Sequence, residues 1–389
     1  MHEPVRLLST EPKPVNIARL EAELAALWRP AAEAPALQDA VTRSCSLTLL
    51  VYVDSEEAQR EALDLIDGVT VENPCRVVVI MADPVARPAG LSAQLSARCH
   101  LPVAGAKEVC CEEITLMARG EAVGGLEQAV VPLMVPGLPV YLWWRAGRFI
   151  PPEYLAPLLH SVDRVLVDSA RFPEPETDLP RLLGELRRLP GGTSFTDLNW
   201  ARLTPWRELI AQCFDSPEAR PCLEALSDVR IEYEQASPRI LFHRAQSLLL
   251  TGWLASRLAW QPVPERSKAG PQGCSFAFRS GQRSILVNTV PRQFEGGGAG
   301  GCVSITLKAA GACLSTFSLQ RGPEGKVAST RRELPGYPVM ERAVRLQAFD
   351  EVELLSAEIR FAGRDRVYEE ALGMIGQLVP FQLFGADLR

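Results

Sequence analysis

Residues 1–170 of the sequence predict an α/β N-terminal domain with a mixed, partly parallel sheet, and residues 171–389 an α+β C-terminal domain with antiparallel strands and helices. Three observations carry this reading. LTLLVYV (Leu47–Val53) and CRVVVIMAD (Cys75–Asp83) are near-continuous apolar runs, the pattern of strands covered on both faces. Helical segments stand between the strand candidates, which suits parallel crossovers. From Phe276 onward the pattern changes to short strand-like stretches joined by glycine-rich turns.

In chain order, Ile17, Leu20, Leu24 and Leu27 recur at helical spacing and predict a helix over Asn16–Trp28. After the strand Leu47–Val53, Ser55 is an N-cap candidate for a helix reaching Ile66. Cys75–Asp83 is the next strand, and Ala89–Cys99 and Val109–Leu116 are extended. Gly125–Leu133 predicts a helix leading to the strand Leu138–Arg145. A short helix over Pro152–Leu159 and a strand over Arg164–Ser169 complete the first domain. RFPEPETDLP then reads as a break before a helix Leu179–Leu189, which Gly191 and Gly192 stop. Thr204 as N-cap and Pro205 as first helical residue start a helix to Phe214. Val229–Tyr233 alternates like a strand, and Arg244–Trp260 is an apolar helix buried on more than one face. Strands follow at Phe276–Phe278, Ser284–Val290, Val303–Lys308 and Leu314–Leu319, then helices over Arg342–Ala357 and Arg366–Leu378.

The chain has 389 residues, 47% of them hydrophobic, with a formal net charge of −6. That acidic balance argues against a general nucleic-acid surface. No apolar run reaches the ~18–20 residues of a membrane span, since the longest candidate, Val130–Trp144, holds three prolines. With no signal-like N-terminal segment and sparse cysteines, a cytoplasmic protein is expected. Four histidines leave little room for histidine-based catalysis.

Motif by motif, catalysis finds no support. EGGGAGG (295–301) precedes a strand rather than a helix, so it predicts a hairpin loop, not a dinucleotide fingerprint. Cys99-His100 and Cys110-Cys111-Glu112-Glu113 carry metal-ligand atoms, but neighbours on a strand point to opposite faces. Buried or half-buried thiols are expected there, and no metal or cofactor. His160 reads as a helix-end residue. Asp168-Ser169 ends a strand, where crevices form in α/β sheets, and a cap or turn role fits equally.

Two stretches exceed what packing alone asks for. In LPVYLWWR, Trp143 and Trp144 must face opposite sides of one strand, so at least one is expected against a second layer, a domain or a partner. DLNWARLTPWR gathers Asp197, Trp200, Arg202, Thr204, Trp206 and Arg207, and tryptophan and arginine are enriched at binding hot spots. The stretch reads as a domain junction or a partner-binding segment.

These blocks, with RSCSLTLLVYV from Arg43, NPCRVVVI from Asn73, CEEITLMARG from Cys111, DRVLVDSARF from Asp163 and LLLTGWLASRLAW from Leu248, resemble the glucose-6-phosphate dehydrogenase assembly protein family, often called OpcA. The resemblance implies a non-catalytic protein that binds glucose-6-phosphate dehydrogenase and favours its active oligomeric form, feeding the oxidative pentose phosphate pathway and NADPH production. Carried over as the family signature, candidate partner-binding or junction residues are Trp143, Trp144, Arg145, Asp197, Trp200, Arg202, Thr204, Trp206, Arg207, Gly252, Trp253, Arg257 and Trp260. The alternative is an α/β protein or enzyme with a sugar-phosphate or nucleotide site. Arg145, Arg164, Arg202 and Arg207 could supply its anion contacts, although no phosphate-loop pattern is present.

Overall fold

A computed structural model describes residues 6–11, 13–14, 22–23, 42–100, 109–234, 244–270, 273–293, 301–347, 349–361 and 363–378. The chain forms two compact units that alternate along the sequence. The first takes Met1–Val167, Arg188–Thr196 and Asp350–Arg364, and the second Asp168–Arg187, Asp197–Phe349 and Asp365–Arg389.

The strands of the first unit are β1 (Arg6–Ser9), β2 (Leu47–Val53), β3 (Cys75–Asp83), β4 (Gly90–His100), β5 (Val109–Arg119), β6 (Val140–Trp144), β7 (Arg164–Val167) and β8 (Ser194–Asp197). They lie in the order β1-β4-β5-β3-β2-β6-β7-β8, with Lys13–Pro14 on β4 and Thr42–Arg43 on β5. The centre is parallel, with β2 between β3 and β6 and further parallel pairs β3–β5 and β6–β7. β4 is antiparallel to both β5 and β1. This is the mixed sheet that the two apolar runs require, and every residue of β2 is buried. Ser55 caps the helix Glu56–Glu72 by accepting from the Ala58 amide at 3.1 Å, and the helix runs past the expected Ile66 to Glu72.

Several local expectations change. Gly125–Leu133 is not one helix but a helical turn Leu126–Val130 between two 3-10 segments, with Pro132 in the second. Cys99 and Cys110, expected as thiols, are joined in a disulfide, because antiparallel register sets them opposite one another on β4 and β5. Cys111 stays a buried thiol. Glu112 and Glu113 project to opposite faces of β5, and each meets a buried arginine: Arg76 at 2.6 Å and Arg98 at 2.5 Å. The ligand-like CCEE run is thereby used in ion pairs. Except for Ala22 and Glu23, the helix expected over Asn16–Trp28 lies outside the described residues, as does the glycine run apart from Gly301.

Helix Glu351–Arg360 also belongs to the first unit, although the sequence pattern merges it into Arg342–Ala357. Residues Arg342–Arg345 of that stretch instead finish the edge strand Met340–Arg345, and the helix starts only after Asp350, which forms a capping box with Glu353. Strand pairing overrides local helical spacing here. The helix C-terminus is closed by Arg164, whose guanidinium donates to the carbonyls of Glu358 (2.8 Å), Phe361 and Gly363 (3.2 Å).

The second unit holds β9 (Leu226–Glu234), β10 (Gln261–Pro262), β11 (Lys268–Gly270), β12 (Gly273–Ser280), β13 (Arg283–Arg292), β14 (Cys302–Ala309), β15 (Ser315–Arg321), β16 (Val327–Glu333) and β17 (Met340–Arg345). The order is β10-β12-β13-β9-β14-β15-β16-β17, with β11 on β12. Among the described residues every pairing is antiparallel except β9 with β13. Helix Arg244–Arg257 is buried from Ala245 through Gly252 and again at Leu254 and Ala255, which accounts for its nearly uncharged sequence. The expected break RFPEPETDLP extends only to Glu174, because helix Pro175–Arg188 already opens on its second proline with an acidic first turn.

Candidate functional site

The two tryptophan–arginine blocks build two separate networks, one in each unit. In the first unit, alternation along β6 sends Trp143 and Arg145 to one face and Trp144 to the other. Trp143 is fully buried, and the Arg145 guanidinium lies over its ring at 4.8 Å. Arg145 also reaches Glu61 at 2.8 Å and Glu351, one from each helix on that face. On the opposite face Trp144 stacks on Tyr52 with ring centroids 4.4 Å apart and meets Phe149 edge-on. Its indole N–H donates to the carbonyl oxygens of Ala146 at 2.5 Å and Arg148 at 3.2 Å. Both tryptophans are therefore core residues of this unit.

In the second unit the centre is Asp197. Its side chain caps helix Leu198–Arg202 through the Asn199 amide at 2.9 Å and accepts from the Ser169 amide at the same distance. The Tyr368 hydroxyl donates to its other oxygen at 2.9 Å. Burial, and then the neighbouring Asp168 charge, push the Asp197 carboxyl up to about 6. Burial and the Asp197 charge push Tyr368 well above the ordinary phenol range, so it keeps its proton and donates. Asp168 behaves oppositely. Burial would raise it, but two hydrogen bonds from Arg202, at 2.7 and 2.8 Å, hold it below the usual range.

The network extends through amides. Asn199 donates to the Ser169 hydroxyl at 3.1 Å and accepts from Gln246 at 2.9 Å, and Gln246 accepts from the Cys302 amide at 2.9 Å. Gly301 makes that last contact possible, because it has φ +114° and a Cβ there would lie 2.5 Å from the Gln246 side-chain oxygen. Trp200 donates to Asp365 at 2.7 Å, and the other oxygen of Asp365 accepts from the Tyr368 amide. The Arg207 guanidinium lies 3.5 Å above the Trp200 ring and donates to the Thr204 hydroxyl. Thr204 is thus not the N-cap. Leu203 precedes the helix Thr204–Gln212, and the capping chemistry sits at Asp197, one helix earlier.

The remaining signature residues separate in character. Gly252 is a packing residue, since a Cβ would stand 2.4 Å from the Ala371 carbonyl oxygen of helix Arg366–Leu378. Trp260 is buried with its ring 5.6 Å from Phe278, and Trp206 is buried. Trp253 is half-exposed and Arg257 exposed, one turn apart on the same helix, with Arg257 paired to Glu370. Sequence reading missed Ser169 as a member of this network, and also Gln246, Asp365 and Tyr368. Ser169 is marked only by its strand-end position beside Asp168, and nothing local marks the other three, because folding draws them in from far along the chain. His160 is a helix-end residue whose Nδ1 lies 3.1 Å from the Ala156 carbonyl oxygen.

Two family matches divide the chain between them. Residues 67–183 match the N-terminal domain, and residues 193–372 the C-terminal domain, of a family described as a glucose-6-phosphate dehydrogenase subunit. Curated relatives from Synechococcus elongatus, Nostoc punctiforme and Synechocystis are each 31% identical to the chain over 324, 321 and 331 residues. The chain belongs to the OpcA family. The matches cover 79–81% of this chain and 66–68% of each relative, so it spans about two thirds of their length. All three relatives are described, provisionally, as the OxPP cycle protein OpcA. An oxidoreductase domain protein from Kribbella flavida aligns with 86% of the chain and 90% of its own at 10% identity, with a TM-score of 0.40, too low to carry an inference. Among the described residues no helix is long and apolar enough to cross a membrane, and no group of three or more His, Cys, Asp or Glu side chains is arranged to hold a metal ion.

Proposed function

We propose that this chain is a non-catalytic partner of glucose-6-phosphate dehydrogenase that binds the enzyme and favours its active oligomeric form. The supporting observation is that family matches named for that enzyme run through both units. The relatives' names add an association with the OxPP cycle. The mechanism is a population shift, in which a protein with higher affinity for the active state stabilises it by the difference in binding free energy. No reacting group in this chain is needed.

Of the signature residues, Trp253 and Arg257 are the pair best placed to touch a partner, because they share a helix face and keep solvent exposure. Trp143, Trp144, Trp200 and Trp206 act instead by holding their units together. The test is co-purification with the cognate dehydrogenase, with its substrate saturation curve measured with and without the chain. Saturable binding and a shifted curve are expected. Absence of both overturns the proposal.

A further inference from the structure

A cavity of about 460 Å³ lies in the second unit, within the size range of small-molecule sites. Its walls are the β16–β17 hairpin and the end of helix Thr204–Gln212 with the turn that follows. Register explains its chemistry. Thr330 pairs with Arg342 and Arg332 with Met340, so alternation sets these four side chains on one face of the hairpin. Arg331, one residue out of phase, commits its guanidinium to Glu333 at 2.7 Å and Glu341 at 2.5 Å.

Arg332 is half-buried, yet its contacts are neutral: the Ser216 hydroxyl at 2.8 Å and the Met340 sulfur at 2.7 Å. Among the described residues neither Arg332 nor Arg342 forms an ion pair. Asp215 is the one carboxylate in the lining, and the exposed Glu218 lies within reach of the Arg332 charge. Two guanidinium groups thus face one carboxylate in a concave site. A half-buried cation with neutral partners keeps an electrostatic demand that an anion would meet. Guanidinium forks match the oxygen spacing of phosphate. Gln212 and Thr330 add neutral hydrogen-bonding groups, and Leu209 and Val344 add apolar wall.

We propose that this cavity binds a small phosphorylated metabolite, its phosphomonoester held by Arg332 and Arg342 and its polar body by Gln212 and Thr330. The proposal is independent of dehydrogenase binding. It is tested by calorimetry on the full chain at low salt with a hexose 6-phosphate, a nucleoside monophosphate, inorganic phosphate and the unphosphorylated hexose. Saturable binding of at least one ester is expected, tighter than inorganic phosphate, with none for the neutral hexose. Which ester binds tighter identifies the body that fits.

Arg342→Ala, on an exposed edge strand, and Arg332→Gln should each weaken ester binding roughly tenfold or more, with circular dichroism unchanged. Ester binding no tighter than inorganic phosphate, no ester binding at millimolar concentration, or affinity unmoved by Arg342→Ala would each overturn the proposal.

Discussion

Tyr368 donates its hydroxyl hydrogen to the Asp197 carboxylate at 2.9 Å, across 171 positions of sequence. The bond ties the helix Arg366–Leu378 to the carboxylate that caps Leu198–Arg202. Tyr368→Phe keeps the ring beside Trp200, 5.4 Å between centroids, and removes only the donor. A buried carboxylate oxygen then loses its partner, at a cost of about 1–3 kcal/mol. Urea unfolding with an unchanged m-value checks this. A midpoint equal to the parent's would show that the bond contributes nothing.

The same carboxylate predicts a pH dependence. Asp197 titrates at about 6 in the folded chain, against an ordinary ~3.9. The folded state therefore binds its proton more tightly. This contribution to stability is full below ~3.9 and lost as pH rises through about 6. Asp168, held below its usual range beside Arg202, contributes in the opposite sense: its stabilisation is present above the ordinary value and lost as pH falls. In Asp197→Asn the fall in stability from pH ~4 to ~6 should shrink, so that the variant gains stability relative to the parent as pH rises through that window. A gap of constant size across that window would contradict the assignment.

Close approach of two helices predicts a steric effect at Gly252. A methyl there would stand 2.4 Å from the Ala371 carbonyl oxygen and 2.8 Å from Ile375. Backbone cannot yield as a flexible side chain does, so Gly252→Ala should destabilise by about 1–3 kcal/mol despite the better helix propensity of alanine. Thermal unfolding gives the sign, and a raised melting temperature would refute the packing account.

Two arginines of the first unit should differ sharply. Arg164 is buried and serves three carbonyls at a helix end. Arg164→Met should cost about 2–3 kcal/mol by stranding those acceptors. Arg360 pairs with Glu72 at the surface, and Arg360→Ala should cost under about 1 kcal/mol. Denaturation midpoints compare them directly, and equal losses would mean that the carbonyl contacts do not matter.

For partner binding, Trp253→Ala should weaken association with the dehydrogenase on the order of tenfold. Its half-exposed position predicts a small loss of stability beside that effect. Affinity measured together with melting temperature separates the roles. Unchanged affinity would place the contact elsewhere on the chain.

The sheets were legible where the sequence pattern is itself dictated by burial. Val77–Ile80 must be apolar at every position because both faces of β3 are covered, and Ser55 announces its helix through a capping hydroxyl. Met340–Arg345 misled because an edge strand with one exposed face carries weak alternation, and only pairing with β16 decides it. Trp143 and Trp144 announced a crowded strand, yet residue type alone does not say whether a tryptophan is packed inside a unit or waits for a partner. Tyr368 and Gln246 carry no local mark at all, because their importance comes from what folding brings to them. The disulfide was hidden for the same reason: Cys99 and Cys110 become neighbours only once β4 and β5 are in register.

Helix Glu351–Arg360 has a consequence for how the protein is made. The first unit needs Glu351 beside Arg145 and the Glu358 carbonyl beside Arg164, contacts spanning 206 and 194 positions. A ribosome must translate the sheet of the second unit before those arginines meet their partners. Until then the growing chain carries a sheet face without its closing helix, and a fragment ending at residue 170 would carry it permanently. The protein cannot be divided into a front half and a back half by one cut. A faithful excision of either unit would require the chain to be rejoined.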